Sequence, residues 1–329
     1  VKTVLVTGGG GFLGQAIVRR LVARRITVRS LSRRYYYELA ALGVTQIQGD
    51  LREPQVVAHA CQGVDTVFHT AAKAGVWGRY DDYYQPNARG TQHVIEACRN
   101  RGARLIHTSS PSVVFTGKHM AGVNEQAPYP RHFHAAYPQT KALAEQQVRQ
   151  AAKNGLPAIV LRPHLIWGPR DNHLTPRILA RGQRLRQVGN GLNRVDTIYI
   201  DNAADAHMLA ADALARQPEL SGRVYFISQD QPVRLWWMVN AILDAGGQAP
   251  VSRAISPAAA WTIGLMMEGV YRCLPRLGEP PMTRFVAGEL ATDHWFDISA
   301  AKNDLGYRPN VSIEEGLRRL RRWLKRRSV

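Results

Sequence analysis

Tyr137 and Lys141 stand four residues apart in the stretch AYPQTKALAE, and a serine pair, Ser109 and Ser110, ends an apolar run upstream. On a helix this spacing puts Tyr137 and Lys141 on one face, one turn apart. A tyrosine hydroxyl titrates near 10, so at neutral pH it is a reluctant base. A lysine cation beside it favours the phenolate and lowers that pKa. A serine hydroxyl next to both could hold or polarise a carbonyl oxygen. Such a trio could pass a proton to or from an oxygen while hydride moves at its carbon. Taken alone, a Tyr and a Lys at this spacing read as an exposed helix pair, so their weight depends on the elements that position them.

The first of those elements opens the chain. An apolar strand (Val4, Leu5, Val6) runs into Gly8-x-x-Gly11-x-x-Gly14 and then into a helix with apolar positions Phe12, Leu13, Ile17 and Leu21. Glycines let such a turn reach positive φ and let a phosphate approach the backbone, and the helix start at Phe12 and Leu13 presents unpaired N–H groups to it. A second strand ends in Ser32, Arg33 and Arg34. A dinucleotide site built for NAD carries a carboxylate there, whereas a small hydroxyl and two guanidiniums suit a 2′-phosphate. The expected cofactor is NADP(H).

Further strands bring more residues to the same edge. One ends at Asp50 and Leu51, placed to meet the adenine amino group and ring, although Asp50 could equally cap the helix that Glu53 and Pro54 begin. The next ends at Ala71 and Ala72, small enough for a cofactor to lie against the backbone. The loop 73–86 is aromatic-rich, and Lys73 and Arg79 are its cationic candidates for a substrate. Residues 111–134 read as a loop over the site, with a buried strand over 156–162 that Pro163 ends.

This alternation predicts an α/β fold: a Rossmann-type doubly wound parallel sheet with a smaller, mainly helical C-terminal substrate lobe. The expected division is an NADP(H)-binding domain over 1–169, with 195–230 returning to it. The substrate lobe takes 170–194, with a basic helix over 176–187, and 231–329. Residues 257–274 are apolar on most faces and read first as a core helix, with a lipid-facing helix or a channel wall as alternatives. The tail opens with a capping box, Ser312 and Glu315, and reads as a terminal helix docked on the body.

Composition narrows the class. The chain has 329 residues, 45% of them hydrophobic and 21% charged, as in an ordinary globular protein. Three cysteines (Cys61, Cys98, Cys273) in no ligand-like spacing argue against zinc or a disulfide framework and fit a cytoplasmic protein. No signal peptide or membrane span is expected, so any membrane association would be peripheral. The net charge is +18. Solubility, anionic partners such as acidic lipids, and nucleic acid compete to explain it. Nucleic acid ranks last, because no recognition motif accompanies the charge.

The stretches TGGGGFLG, TSS with YPQTK, and LRP-x-x-IWGP resemble the extended short-chain dehydrogenase/reductases over nearly the whole chain. IWGPRDNHLTPR, VDTIYIDNAADAH and FDISAAKNDLGYRP resemble the 3β-hydroxysteroid dehydrogenase branch. VFHTAAKAGVWG, RVDTIYIDNAA and GEPPMTRF are similar to its bacterial reductases of long-chain olefin biosynthesis. That resemblance implies reduction of a 2-alkyl-3-ketoalkanoic acid to the 2-alkyl-3-hydroxyalkanoic acid with NADPH. It implies Tyr137 as proton donor or acceptor, Lys141 as its partner and Ser110 as carbonyl holder. Gly8, Gly11 and Gly14 become the cofactor fingerprint, and Pro163 lies near the nicotinamide amide. It also implies a homo-oligomer and assembly with other olefin-pathway enzymes. YYYEL after Arg34, and Arg170 where a glycine is common, depart from the pattern. The rival readings are an oxidative 3β-hydroxysteroid or sterol-carboxylate dehydrogenase and a non-catalytic NADP(H)-binding partner subunit. A sugar-nucleotide dehydratase is disfavoured, since Pro111 and Ser112 follow Ser110 where an acidic pair would be needed.

Overall fold

In the computed structural model, which describes residues 2–327, the alternation resolves into seven parallel strands. They are β1 (Thr3–Thr7), β2 (Thr27–Ser32), β3 (Thr45–Gln48), β4 (Thr66–His69), β5 (Arg104–Thr108), β6 (Ala158–Pro163) and β7 (Val224–Ile227). Their order across the sheet is β7-β6-β5-β4-β1-β2-β3. The order reverses between β1 and β4, and a crevice opens at their carboxyl ends, where ligands bind in such sheets. In register, Thr7 pairs with His69, so the loops that begin at Gly8 and at Thr70 face one another there.

Helices cover both faces. Helix α1 (Phe12–Ala23) lays Leu13, Ile17, Val18 and Leu21 on the sheet. Helix α2 (Gly90–Arg101) ends at Gly102, whose φ of 65° closes it in the left-handed conformation. Helix α3 (Ala136–Lys153) carries Tyr137 and Lys141, and α4 (Ile200–Arg216) packs against α1. Pro138 lies in the first turn of α3, where its missing N–H costs nothing.

Several expectations need correction. The loop 73–86 contains a short helix, Tyr80–Tyr84, and a π-helical turn, Gln85–Arg89, that leads straight into α2. The loop 111–134 contains a 3₁₀ turn, Pro111–Val114, and a strand, Met120–Val123. That strand pairs with His294–Phe296, far away in sequence, in a separate four-stranded sheet. The basic helix expected over 176–187 runs over Leu174–Arg181 instead. The Asp171 carboxylate accepts from the N–H groups of His173, Leu174 and Thr175 and so starts the helix early; Gly182, at φ 42°, stops it.

Two C-terminal helices divide in their fates. Helix α5 (Pro257–Cys273) is no core helix: only Ala260, Gly264 and Glu268 are buried, and it packs on α6 (Arg284–Ala291). Helix α7 (Ile313–Arg327) docks as expected. Its first turn is capped by Ser312, whose Oγ accepts from the Glu315 N–H at 3.2 Å. A Cβ at Gly316 would stand 2.7 Å from ring atoms of both Trp167 and Tyr199, so this contact admits only glycine.

The core holds unusual titratable groups. Burial keeps His69 and His294 neutral down to about 3, and His164 and His207 down to about 4. Unfolded histidines take up protons near 6.5, so below that pH the unfolded chain binds more protons and stability falls with pH. Burial raises Asp196 to about 6 and Glu289 to about 7, and these act in the opposite sense. His107 is held neutral in the same way by burial and by Lys141, so five histidines against two carboxyls leave a net uptake of protons on unfolding near pH 5 and stability falls as the pH drops. The urea midpoint is therefore expected to drop steeply between about pH 6 and 4.5. A midpoint flat across that interval would contradict the neutral histidines.

Candidate active site

Helix α3 starts at the carboxyl end of β5 and runs back along the sheet, so that its first turns, with Tyr137 and Lys141, lie at that edge. Lys141 is buried, and its Nζ donates to the Thr108 carbonyl at 2.6 Å, at the end of β5. Two residues on, Ser110 is near enough to the Tyr137 hydroxyl to lower its pKa. Ser110 is itself fixed, since its Oγ accepts from the Ser112 N–H at 3.2 Å and lies 2.9 Å from the Ser112 hydroxyl. Sequence spacing thus brought the three candidates together, and Ser112 is a supporting residue it did not reveal.

The serine pair divides its work. Ser109 points into the core and donates to Glu145 at 2.5 Å. Glu145, one turn beyond Lys141, also receives Tyr129 Oη at 2.7 Å and both Nε (3.1 Å) and Nη2 (2.5 Å) of Arg162. The pair is fully buried, with Arg162 held over the Phe226 ring at 5.1 Å. Burial brings Lys141 down to about 8, and the Glu145 charge works against that fall.

The direction at Tyr137 is the reverse of the expected one. Dense surroundings raise its pKa; the Ser110 bond lowers it, while the nearby Glu289 and Tyr83 raise it further. The Lys141 ammonium is engaged by the Thr108 carbonyl rather than by the phenol. A tyrosine held above its usual value keeps its proton at neutral pH, which suits a proton donor.

Further unpredicted residues brace the crevice. Asn87, buried, accepts from the Lys73 N–H at 2.7 Å and donates to the Lys73 carbonyl (3.0 Å) and to Thr140 Oγ (3.1 Å), fastening the loop after β4 to α3. His69 bridges Thr7 (2.7 Å) and Thr91 (2.9 Å) beneath it.

The glycine turn forms a cradle for a dinucleotide. Gly8 adopts φ 71°, and a Cβ there would lie 2.9 Å from Ala71 Cα. A Cβ on Gly14 would sit 2.1 Å from the Gly8 carbonyl oxygen. A Cβ on Gly11 would come within 3.1 Å of that same oxygen. No side chain caps α1, and its first turn holds no acid, so the N–H groups at Phe12 and Leu13 stand ready for a diphosphate. Ala71 and Ala72 follow the end of β4, with Ala71 set against Gly8, and Pro163 ends β6. At the other end, Ser32 Oγ stands 3.5 Å from the Gly10 N–H, and Arg33 and Arg34 are exposed.

Asp50 does not cap the helix Pro54–Ala60, whose N-cap is Glu53. Its carboxylate instead accepts from the Arg52 N–H and guanidinium, both at 2.9 Å, and Arg52 and Arg33 hold its pKa low. Leu51 is buried, its Cβ side facing Gly90, so it belongs to the core beneath the site.

Beside α3 opens a cavity of about 770 Å³, lined by Ala135, Ala136 and Gln139 together with Trp77, Arg79 and Tyr271. Lys73 lines it too, but its Nζ lies 3.5 Å from Asp82 and 4.9 Å over the Tyr83 ring. Among the described residues Arg79 has no such acidic partner.

Compared with known proteins, residues 5–253 match the 3-beta hydroxysteroid dehydrogenase/isomerase family. The chain belongs to that family. It is 51% identical to the 2-alkyl-3-oxoalkanoate reductase of Stenotrophomonas maltophilia, over 97% of this chain and 98% of the relative. It is 49% identical to the protein of the same name from Shewanella oneidensis, over 98% and 86% of the two chains. The fold is that of UDP-glucuronic acid 4-epimerase from Bacillus cereus, solved with NAD, at a TM-score of 0.77, 22% identity and near-complete coverage (99% of this chain, 100% of that one).

Two oddities of this family member now have places. The ring of Tyr36, in the YYYEL run, covers Gly10, where any Cβ would meet it at 2.0 Å. Arg170 holds φ 72°, a left-handed conformation that glycine adopts without strain. It lines a groove with Arg19 and Gly10 on the outer side of the glycine turn.

Proposed function

We propose that this protein reduces the 3-keto group of a 2-alkyl-3-ketoalkanoic acid with NADPH, yielding the 2-alkyl-3-hydroxyalkanoic acid. The observation that carries the reading is an intact Ser110–Tyr137–Lys141 set at the crevice of a chain half identical, end to end, to reductases named for that substrate. NADPH, when bound, supplies the hydride. Ser110 holds the keto oxygen, and Tyr137 donates its phenolic proton to that oxygen as negative charge develops on it. Lys141, braced by the Thr108 carbonyl, holds the nicotinamide ribose and adds a positive charge near the reacting oxygen. Arg79, at the cavity wall, attracts the substrate carboxylate; Lys73, shared with Asp82 and Tyr83, is the weaker candidate.

The choice of NADPH rests on Ser32, Arg33 and Arg34 at the end of β2, with no carboxylate there to repel a 2′-phosphate. Charge-assisted bonds of about 1.5–3 kcal/mol correspond to roughly 10- to 100-fold in affinity. The Arg33→Ala/Arg34→Ala variant is expected to raise the KM for NADPH by about that factor and to leave the KM for NADH unchanged. Equal changes for both cofactors would remove these residues from the 2′-phosphate.

The family match also favours oxidation of a 3β-hydroxysteroid by the same residues. Cofactor absorbance decides between the readings, with the keto acid and NADPH in one assay and a 3β-hydroxysteroid with NADP⁺ or NAD⁺ in the other. Turnover of the keto acid is expected, and turnover of the steroid alone would overturn the assignment.

A further inference from the structure

The exposed half of α5 is the least expected surface of this molecule. At 100° per residue, Ala258, Ala259, Trp261, Thr262, Leu265, Met266, Gly269, Val270, Arg272 and Cys273 fall within one half of the helix circumference. All ten are exposed, and only Arg272 among them is charged. The opposite line, Ala260, Gly264 and Glu268, is the part buried against the body. A Cβ on Gly264 would come within 2.7 Å of the Thr283 backbone, so the helix lies tightly on the chain before α6 along that narrow line. Glu268 is consumed there by Arg284, whose N–H and guanidinium it accepts at 2.8 and 2.9 Å. The usual amphipathic pattern is inverted, with the polar group inside and the apolar face outside.

Exposed apolar side chains concentrate in this part of the chain. Six of the eleven exposed large apolar side chains among the described residues lie between positions 261 and 277. They are Trp261, Leu265, Met266, Val270, Leu274 and Leu277, each between 42% and 59% exposed. Soluble monomers rarely leave such a patch uncovered. Its rim is cationic: Arg253 precedes the helix, while Arg272 and Arg276 lie at its end, and all three are exposed. From Ala254 to Met267 there is no charged residue at all.

We infer that this face docks on an anionic lipid bilayer, with α5 lying in the plane of the interface. No helix among the described residues is long and apolar enough to cross a membrane. An apolar face edged by arginines is the arrangement that partitions into the headgroup boundary of acidic lipids. Charge complementarity selects lipid over a second copy of the chain. Face-to-face pairing would set these arginines against themselves in a protein of net charge +18, whereas an anionic bilayer attracts both the rim and the whole molecule.

The same helix also walls the substrate cavity. Glu268, Tyr271 and Arg272 line the 770 Å³ space together with Trp77, Arg79 and Tyr80, and Arg272 stacks over Trp77 at 5.7 Å. Docking through α5 therefore sets a wall of the cavity close to the lipid, which shortens the path of a long alkyl chain from bilayer to cavity. This last benefit rests on the long-chain reading of the substrate; the docking itself does not.

The test is flotation of the full chain with phosphatidylcholine vesicles, with and without phosphatidylglycerol, comparing the native protein with Leu265→Glu/Met266→Glu. Neither side chain lines the cavity. The native protein is expected to float with the phosphatidylglycerol vesicles and to lose binding as salt is raised. The variant is expected to bind at least about tenfold more weakly while keeping its thermal midpoint and its turnover of a short, water-soluble keto acid. Native protein that stays off anionic vesicles would overturn the inference. So would equal binding by the variant, or a native oligomer that the variant dissociates and vesicles leave untouched. Vesicle binding is read without substrate, and turnover is read without vesicles, so failure of the docking and failure of the proposed reaction are seen separately.

Discussion

Tyr137→Phe is expected to lower kcat/KM for the keto acid by about a thousandfold, with NADPH affinity held within about twofold. The substitution removes one oxygen and keeps the ring. The ring sits in dense surroundings, and its hydroxyl meets Ser110, so the void left is small and the loss falls on proton donation. Because burial raises the Tyr137 pKa, the hydroxyl carries its proton at neutral pH and serves reduction directly. Lys141 is turned to the Thr108 carbonyl at 2.6 Å, and the Ser112 hydroxyl is engaged with Ser110 itself at 2.9 Å, which leaves Tyr137 as the donor for the substrate. Steady-state rates with a cofactor-fluorescence titration separate the two effects. A variant that keeps a tenth or more of the native rate would assign the proton to another group, and Glu289, raised to about 7, would be the first to examine.

The second large effect concerns stability. Glu145→Gln is expected to cost about 3–5 kcal/mol, because it strands the Arg162 guanidinium in a fully buried site. The carboxylate accepts from Ser109, Tyr129 and two nitrogens of Arg162, and a neutral amide can satisfy only part of that set. Replacing both partners, Glu145→Leu with Arg162→Met, is expected to cost clearly less than the sum of the single losses, since no charge is then left alone. Urea denaturation of the three variants provides the cycle. Strict additivity would mean that the pair is not coupled as the geometry shows. Glu145 also opposes the fall of the Lys141 pKa, so the single variant should lower it further.

The glycine turn, the end of β2 and the Tyr–Lys spacing were readable from sequence because each is a local pattern fixed by backbone geometry. Gly8, Gly11 and Gly14 are needed for contacts within a dozen residues or at the facing Ala71. What escaped the sequence depends on distant partners. The Met120–Val123 strand is four residues long and finds its mate at His294–Phe296. Asn87 looks like any helix-start asparagine until Lys73 and Thr140 close around it. Spacing placed Lys141 near Tyr137 but gave no measure of burial, and burial reversed the expected direction of the Tyr137 shift. Periodicity likewise found the apolar residues of α5 but not that they face outward, because a pattern of apolar positions does not say what covers them.

The proposed reduction is followed most directly through the hydride itself. The full chain is given a 2-alkyl-3-ketoalkanoic acid and NADPH carrying deuterium at both positions of the nicotinamide C4, and the product is read by mass spectrometry. One deuterium at C3 of the 2-alkyl-3-hydroxyalkanoic acid is expected for each NADPH consumed, with product formation collapsing in Tyr137→Phe. NADPH consumed without label at C3, or label incorporated at an undiminished rate by Tyr137→Phe, would contradict it.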